Sequence, residues 1–120
     1  MDRHTFCRAQ RLLKASEFAR VFDHQPTKSV DRFWTILALA NDVGRARLGL
    51  VITKKRARSA VARNRLKRLI RESFRLNCHI FQGVDFVVMA RQEAVLADNL
   101  TLRQSLDHRW QHLLKRFSAT

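Results

Sequence analysis

The sequence contains little cysteine, glycine or proline and no long apolar run. Its 120 residues include three glycines, one proline and no tyrosine, which excludes collagen-like and linker-rich architectures. The longest apolar stretches, Thr35 to Ala40 and Phe86 to Ala90, are far shorter than the roughly 20 residues of a transmembrane helix. Cys7 and Cys78 lie far apart and in no metal-like or redox-like spacing, so the sequence predicts no disulfide framework.

No segment predicts secretion or membrane attachment. The first residues, Met1 to His4, lead into no apolar secretory stretch. Binding to an anionic membrane surface would require a basic helix whose other face is free to enter lipid. We therefore expect a cytoplasmic protein with no membrane partner.

Acidic residues are scarce and scattered. The chain has 24 Lys and Arg against 10 Asp and Glu, a formal net charge of +14 at pH 7, and an isoelectric point near 11.6. A protein nuclease needs convergent carboxylates that hold metal, or histidines for acid–base chemistry, and no two acids are adjacent or one residue apart. His108 and His112 lie four residues apart but have no evident third zinc ligand. We therefore predict no catalytic residue, no metal site and no cofactor bound by the protein alone.

Length and hydrophobicity indicate one packed domain. With 120 residues, of which 46% are hydrophobic, the chain fits a single domain. We expect it to span residues 1–120, with residues 1–8 flexible. Periodicity and turn signals give the order α-β-β-α-β-α, which predicts an α/β fold with helices packed on a small sheet. The predicted helices cover residues 17–22, 59–76 and 102–117, and the predicted strands cover residues 33–40, 47–52 and 84–90.

Local signals refine these elements. The first two strands are separated along the sequence only by a short turn at residues 41–44, which suggests that they form a hairpin. Thr101 with Gln104 fits a capping box at the start of the last helix. Trp110 and Phe117 recur at the apolar spacing of that helix, so we assign both to the core.

The helix predicted over residues 59–76 lies in the most basic part of the chain. From Thr53 to Arg75 there are ten basic residues and one acid, Glu72. At 100° per residue, one arc of this helix is apolar and the opposite arc is cationic. The apolar arc, which we expect to pack on the sheet, holds Ala62, Leu66, Leu69, Ile70 and Ser73. The cationic arc holds Asn64, Arg65, Lys67, Arg68, Arg71 and Arg75. Arg63 lies at the border, where its stem covers apolar surface and its head reaches outward.

The cationic arc predicts binding of a polyanion. Like charges four residues apart destabilise a helix by a few tenths of a kcal/mol. Lys67, Arg71 and Arg75 follow one another at that spacing, so we expect a ligand to supply the negative charge, with arginine binding phosphate through paired hydrogen bonds. Charge does not decide between DNA and RNA. One asparagine among many cations indicates recognition of backbone and shape, which favours folded RNA.

The motifs of this segment resemble, in their order, a known family. They are Lys54-Lys55, Ala60-Val61, Arg63-Asn64-Arg65-Leu66-Lys67-Arg68 and Arg71-Glu72-Ser73-Phe74-Arg75. Together they are similar to the bacterial ribonuclease P protein component, whose hallmark is an Arg-Asn-Arg helix. The resemblance covers about residues 9 to 117. Outside the basic segment it rests on Arg11-Leu12-Leu13, Phe18, Val21-Phe22, Arg47 to Val51, Asp85 to Val88 and Ala90-Arg91.

The resemblance implies a fold and a function. In that family a large RNA subunit removes the 5′ leader of precursor transfer RNA, using Mg2+ held mainly by RNA, and the small protein assists without being the catalyst. The family fold includes a left-handed βαβ crossover, shared with a ribosomal protein domain (the ribosomal S5 domain 2-like fold). The expected partners are the catalytic RNA and the leader, with no obligate protein partner.

The resemblance also implies two RNA-contacting surfaces. The first would bind the catalytic RNA through Lys54, Lys55, Arg58, Arg63, Asn64, Arg65, Lys67, Arg68, Arg71 and Arg75. The second, a cleft between the first helix and the sheet, would take the single-stranded leader. Phe18 and Phe22 match positions in that cleft, although two phenylalanines four residues apart are also typical of a core. The family often has tyrosine on the sheet side, where we expect Trp34, Phe86 or an aliphatic residue.

Two other functions fit the charge. A ribosomal or RNA-chaperone protein of similar fold is the main alternative, and a protein-only nuclease is the third hypothesis. The ordered motif and the aromatic first helix favour the ribonuclease P interpretation. The family often has glycine in the loop before the motif, where this chain has Ala57, so the sequence leaves the loop conformation open.

Overall fold

The computed structural model describes residues 10–11 and 14–118. The strands are β1 (Gln10–Arg11), β2 (Thr27–Val30), β3 (Trp34–Ala40), β4 (Arg47–Val51) and β5 (Val84–Ala90). The α-helices are α1 (Ala15–Asp23), α2 (Ala60–Asn77) and α3 (Asn99–Ser118). Two short 3-10 helices cover Cys78–Ile80 and Gln92–Leu96. The strands form one sheet in the order β1-β4-β5-β3-β2.

The central strand of the sheet is β5. It pairs antiparallel with β3 and parallel with β4, so α2 connects two neighbouring parallel strands as a crossover. The predicted hairpin of β3 and β4 is therefore wrong. Six of the seven β5 residues are buried, and a strand that is largely apolar on both faces is favoured between two neighbours. The turn after β3 instead carries the chain across to the far side of β5.

The α/β class is confirmed, and the structure adds two strands to the predicted order. β2 pairs antiparallel with β3 at one edge, and β1 pairs parallel with β4 at the other. β2 was not predicted from the sequence, because a four-residue edge strand with polar residues lacks a hydrophobic pattern. The left hand of the crossover stays a prediction. Residues 1–8, expected to be flexible, and Leu12-Leu13, matched to the first helix, lie outside the described residues.

The two faces of the sheet bury different layers. On one face α2 and α3 cover a large core that includes Trp34 and Phe86. On the other face α1 places Val21 against Leu37 and Val87 in a small second core. Successive strand residues point to opposite faces, so neighbours in sequence on β3 and β5 belong to different layers.

Aromatic rings form the centre of the larger core. The cluster consists of Phe74, Phe81, Phe86 and Trp110, with ring centroids 4.8 to 6.5 Å apart. Trp110 Nε1 donates a hydrogen bond to Ser73 Oγ at 2.9 Å, which satisfies two buried polar groups. The assignment of Trp110 to the core is confirmed, and Phe117 is partly buried against the same core.

Each of the two long helices begins at a side-chain cap. Ser59 Oγ accepts a hydrogen bond from a backbone N–H in the first turn of α2 at 3.0 Å. Asp98 Oδ1 accepts one from Thr101 N at 2.7 Å, and this bond lowers the pKa of Asp98. The predicted capping box of Thr101 with Gln104 is therefore wrong, because α3 begins at Asn99 and Thr101 donates to the cap.

Cys78 forms a disulfide that the sequence did not indicate. It is buried next to the end of α2 and is disulfide-bonded. Cys7 lies outside the described residues. Separation along the sequence sets no limit on proximity in the fold, which is why spacing alone did not indicate this bond.

Candidate nucleic-acid interface

The outer face of α2 carries cations where the helical periodicity predicts them. Leu66, Leu69, Ile70, Ser73 and Phe74 are buried on the inner side, which confirms the predicted apolar arc. On the outer side Asn64, Arg68, Arg71 and Arg75 are exposed, and Lys67 is half-buried. We call these five outer residues the α2 ridge.

Ion pairs among the described residues lie away from α2. They join Arg20 and Arg47 to Asp85, Arg47 to Glu17, Arg32 to Glu93, and Arg109 to Asp31. No ridge cation has an acidic partner within this described part of the chain. The like charges four residues apart on α2 are therefore not neutralised internally, and an external polyanion would relieve their repulsion.

Arg63 holds the loop that leads into α2. This approach loop (residues 53–58) turns through a hydrogen bond from Ala57 N to Thr53 O at 2.9 Å. Arg63 Nη1 donates to Ala57 O at 2.9 Å and to Arg58 O at 2.8 Å. The expectation that the head of Arg63 reaches outward is therefore wrong, because it satisfies two loop carbonyls instead. Ala57 is buried and its φ is not positive, so the loop needs no glycine there.

Arg65 holds the segment before α3. Its Nε donates to Asn99 Oδ1 at 2.9 Å, and its Nη2 donates to Ala97 O. The prediction that Arg65 lies on the outer arc is corrected by these contacts, since its head turns to the flank of α2 that faces α3. Of the three residues in the Arg-Asn-Arg motif, Asn64 is the exposed one. Arg63 and Arg65 support the segments on either side of the ridge.

The approach loop extends the cationic surface beyond α2. Lys54, Lys55, Arg56 and Arg58 are exposed, and their side chains form no ion pair with other described residues. Because the loop precedes Ser59, the α2 cap, these side chains adjoin the N-terminal end of the ridge. The sequence-predicted cations thus form one surface, with Arg63 and Arg65 beneath it.

A further group of cations lies at one end of the strands, where β4 and β5 end and β3 begins. Because β4 and β5 are parallel and β3 begins beside the end of β5, three segments meet there. A groove of about 440 Å³ at this end of the strands is lined by Arg32, Arg56 and Arg91. Arg32 is paired with Glu93 at 2.9 Å. These arginines were not among the predicted site residues. No periodicity marks them, since only strand pairing brings them together.

A partly open apolar cleft lies between α1 and the other face of the sheet. Phe18 is half-buried, whereas Phe22 is 46% exposed. Val51 and Met89 are half-buried beside Phe18. Phe18, Val51 and Met89 are thus only partly covered where they pack against the small core, and Phe22 is exposed on the same helix as Phe18.

The structure removes Trp34 and Phe86 from this cleft. Both side chains are 0% exposed and pack beneath α2 and α3, on the face of the sheet opposite α1. The prediction that either of them replaces a cleft tyrosine is wrong, because strand alternation points them away from α1. Of the predicted alternatives, the aliphatic one fits: Val51 faces the cleft, accompanied by the thioether of Met89.

A buried carboxylate fixes α1 on the sheet. Asp85 is 0% exposed and accepts hydrogen bonds from Arg47 Nε and Nη2, both at 2.7 Å, and from Arg20 Nη1 at 3.2 Å. Arg47 Nη1 also donates to Glu17 on α1 at 2.9 Å. The hydrogen bond to Asp85 raises the pKa of Arg47. This network ties α1 to β4 and β5 through Glu17 and Arg20 and thereby sets one wall of the cleft.

Within residues 14–118, no three His, Cys, Asp or Glu side chains come together in a group that could hold a metal ion. Over the same residues, no helix is both long and apolar enough to cross a bilayer.

Known proteins match this chain over most of its length. The family model described as Ribonuclease P matches residues 6–114. The ribonuclease P protein component of Idiomarina loihiensis is 45% identical over 112 residues, which cover 93% of this chain and 90% of that protein. The RNase P protein of Staphylococcus aureus has a solved structure that is 30% identical, with a TM-score of 0.80 over 88% of this chain and 95% of that one. A mutant of the S. aureus protein with defective mRNA degradation activity is also 30% identical, with a TM-score of 0.79 over 86% of each chain.

Proposed function

The chain belongs to the ribonuclease P protein family, and on that premise we propose that it binds the catalytic RNA and the 5′ leader of precursor transfer RNA and assists removal of that leader. The observation that carries the proposal is the α2 ridge, whose cations have no acidic partner among the described residues. The direct contacts are assigned to Lys54, Lys55, Arg58, Asn64, Lys67, Arg68, Arg71 and Arg75. Arg63 and Arg65 position the segments that flank them.

Electrostatics governs binding to the RNA subunit. Guanidinium groups bind phosphate oxygens through paired hydrogen bonds, and each phosphate neutralised releases counterions. If about six phosphates are contacted, raising the salt from about 50 to 200 mM weakens binding roughly 10³-fold on the duplex-DNA slope.

The leader binds in the cleft beside α1. Unpaired bases stack on aromatic side chains, at about 1–3 kcal/mol per base, and Phe22 offers an exposed ring. Val51 and Met89 supply the sheet side, where the chain has no tyrosine. Because the buried acid beside this cleft, Asp85, is already paired with Arg47 and Arg20, its charge does not repel the leader.

Catalysis is assigned to the RNA. The proposal gives the protein no catalytic residue and no obligate protein partner, and it leaves Mg2+ to the RNA subunit. The protein acts in the cytoplasm together with that RNA. The mRNA degradation activity named for the S. aureus protein makes a protein-only nuclease a hypothesis to test alongside this one.

Reconstitution tests the proposal. The chain is mixed with a bacterial ribonuclease P RNA at low magnesium, and removal of the leader from precursor transfer RNA is measured as the leader length is varied. We expect stimulation that depends on leader length. A ribosomal or RNA-chaperone protein would give no such dependence, and absence of stimulation would refute the proposal. Cleavage of precursor or messenger RNA by the chain alone would support the nuclease hypothesis.

A further inference from the structure

A second groove lies beside the approach loop, apart from the ridge and from the α1 cleft. It runs between this loop and the 3-10 helix Gln92–Leu96 and has a volume of about 340 Å³, within the rough range of 300–1,000 Å³ for ligand sites. Its cationic wall consists of Lys55, Arg56 and Arg58, and its apolar wall consists of Ala62, Val95 and Leu96. No acidic residue lines it.

Leu96 is the distinctive residue of this groove. Its side chain is 87% exposed, and it also lines the neighbouring groove that holds Arg32, Arg56 and Arg91 together with Glu93, the partner of Arg32. A single exposed leucine needs no explanation by itself. A leucine placed between two arginine-lined grooves fits a ligand that combines an apolar face with negative charge.

An unpaired nucleotide has this combination. Its base presents a flat apolar face and its phosphate is anionic, whereas base pairing and stacking in a duplex hide both base faces. We propose that the groove binds an unpaired nucleotide of the ribonuclease P RNA, with the base on Leu96 and Val95 and the phosphates on Arg56 and Arg58. This inference rests on the proposed function, because the ridge would bring the same RNA to the adjoining groove.

Charge argues against a second copy of the chain as the occupant. A formal net charge of +14 makes two copies repel, and three cations line the groove itself. An apolar peptide would satisfy Leu96 but would leave these cations without a counter-charge. The nucleotide satisfies both walls.

Matched leucine variants test the site. Leu96→Glu places a carboxylate in the groove, whereas Leu100→Glu makes the same change at a side chain that is 65% exposed and lines neither groove. Affinity for a transcribed bacterial ribonuclease P RNA is measured by filter binding at fixed salt. We expect Leu96→Glu to bind at least about tenfold more weakly than wild type, because it loses the burial of one leucine side chain under the base, and Leu100→Glu to bind like wild type.

The outcomes separate this inference from the proposed function. If the wild-type chain binds the RNA and both variants bind it equally, the groove proposal is overturned and the proposed function stands. If the wild-type chain does not bind the RNA, both fail.

Crosslinking gives a second readout that does not depend on affinity. Benzoylphenylalanine placed at position 96 should crosslink to nucleotides that are unpaired in the folded RNA, and the same group at position 100 should not. Crosslinks from position 96 confined to duplex nucleotides, or to a second protein chain, would contradict the proposal.

Discussion

The α2 ridge and the α1 cleft handle charge in opposite ways. On the ridge, arginine and lysine side chains project outward with no acidic partner among the described residues, whereas beside the cleft Arg20 and Arg47 are bound to Asp85. The ridge therefore offers free positive charge, and the cleft offers an apolar surface around Phe22. The contacts proposed for the catalytic RNA and those proposed for the leader therefore lie on opposite faces of one sheet.

Arginine has two roles in this protein. Arg63 and Arg65 hold backbone and side-chain oxygens of neighbouring segments, so they stabilise the surface that the ridge presents. Among the described residues, Arg68, Arg71 and Arg75 have no such partners, so they remain available to a ligand. A planar group with five donors serves either purpose, and the position on the helix determines which one.

The largest effect is expected at Asp85, the buried carboxylate that is paired with Arg20 and Arg47 beside the α1 cleft. Asp85→Ala leaves the half-buried guanidinium of Arg47 without its main partner, which should lower the free energy of unfolding by about 3 kcal/mol. Urea denaturation measures it. The control is Glu72→Ala, an exposed acid on α2, which should change stability by less than about 0.5 kcal/mol. Equal losses in the two variants would show that the Asp85 network does not hold α1.

Removing ridge charge should affect RNA binding rather than folding. Arg68→Ala combined with Arg71→Ala removes two charge-assisted hydrogen bonds of about 1.5 kcal/mol each, which corresponds to about 100-fold weaker binding to the RNA subunit. The slope of log affinity against log salt should fall by about 0.7–0.9 per lost phosphate contact. Arg45→Ala combined with Arg116→Ala has the same net charge and serves as the control, because both arginines are exposed and lie in the turn after β3 and beside β2. An equal loss in both double variants would show that RNA affinity depends on the net charge of the chain and not on the position of the ridge.

A smaller effect is expected in the cleft. Phe22→Ala removes one exposed ring, so the preference for precursor over mature transfer RNA should fall about fivefold, the lower limit for one stacked base. Affinity for the RNA subunit should not change. Val43→Ala, at a side chain that is also about half exposed, should leave both quantities unchanged. If the Phe22 and ridge variants show the same defect, the separation of the two surfaces is wrong.

The smallest effect concerns the α3 cap next to Arg65. The hydrogen bond from Thr101 N lowers the pKa of Asp98, so the ionised carboxylate is favoured in the folded state. Its contribution to stability is present above the unfolded pKa of about 3.9 and is lost as the pH falls through the lower folded pKa. The urea midpoints of wild type and Asp98→Asn should therefore differ at pH 7 and converge toward pH 3. A difference that is constant with pH would exclude a role for the charge.

Local patterns predicted much of this molecule. The limits of β5 and the buried arc of α2 follow from residues close together in sequence, because helical and extended backbones repeat side-chain direction every 3.6 and 2 residues. The exposed cations of the ridge were identifiable for the same reason. The resemblance to the ribonuclease P protein family rests on this same segment.

Long-range partners decided what the patterns did not. Asn99 lies 34 residues from Arg65. No periodicity of α2 reveals that the Asn99 side chain accepts a hydrogen bond from the Arg65 guanidinium. Strand pairing likewise placed β5 between β3 and β4 and turned Trp34 and Phe86 away from α1. The sequence by itself determined the charge of the chain and the direction of side chains within each element. Only the tertiary structure decided which cations are neutralised and which face each strand residue occupies, because both depend on neighbours distant along the chain.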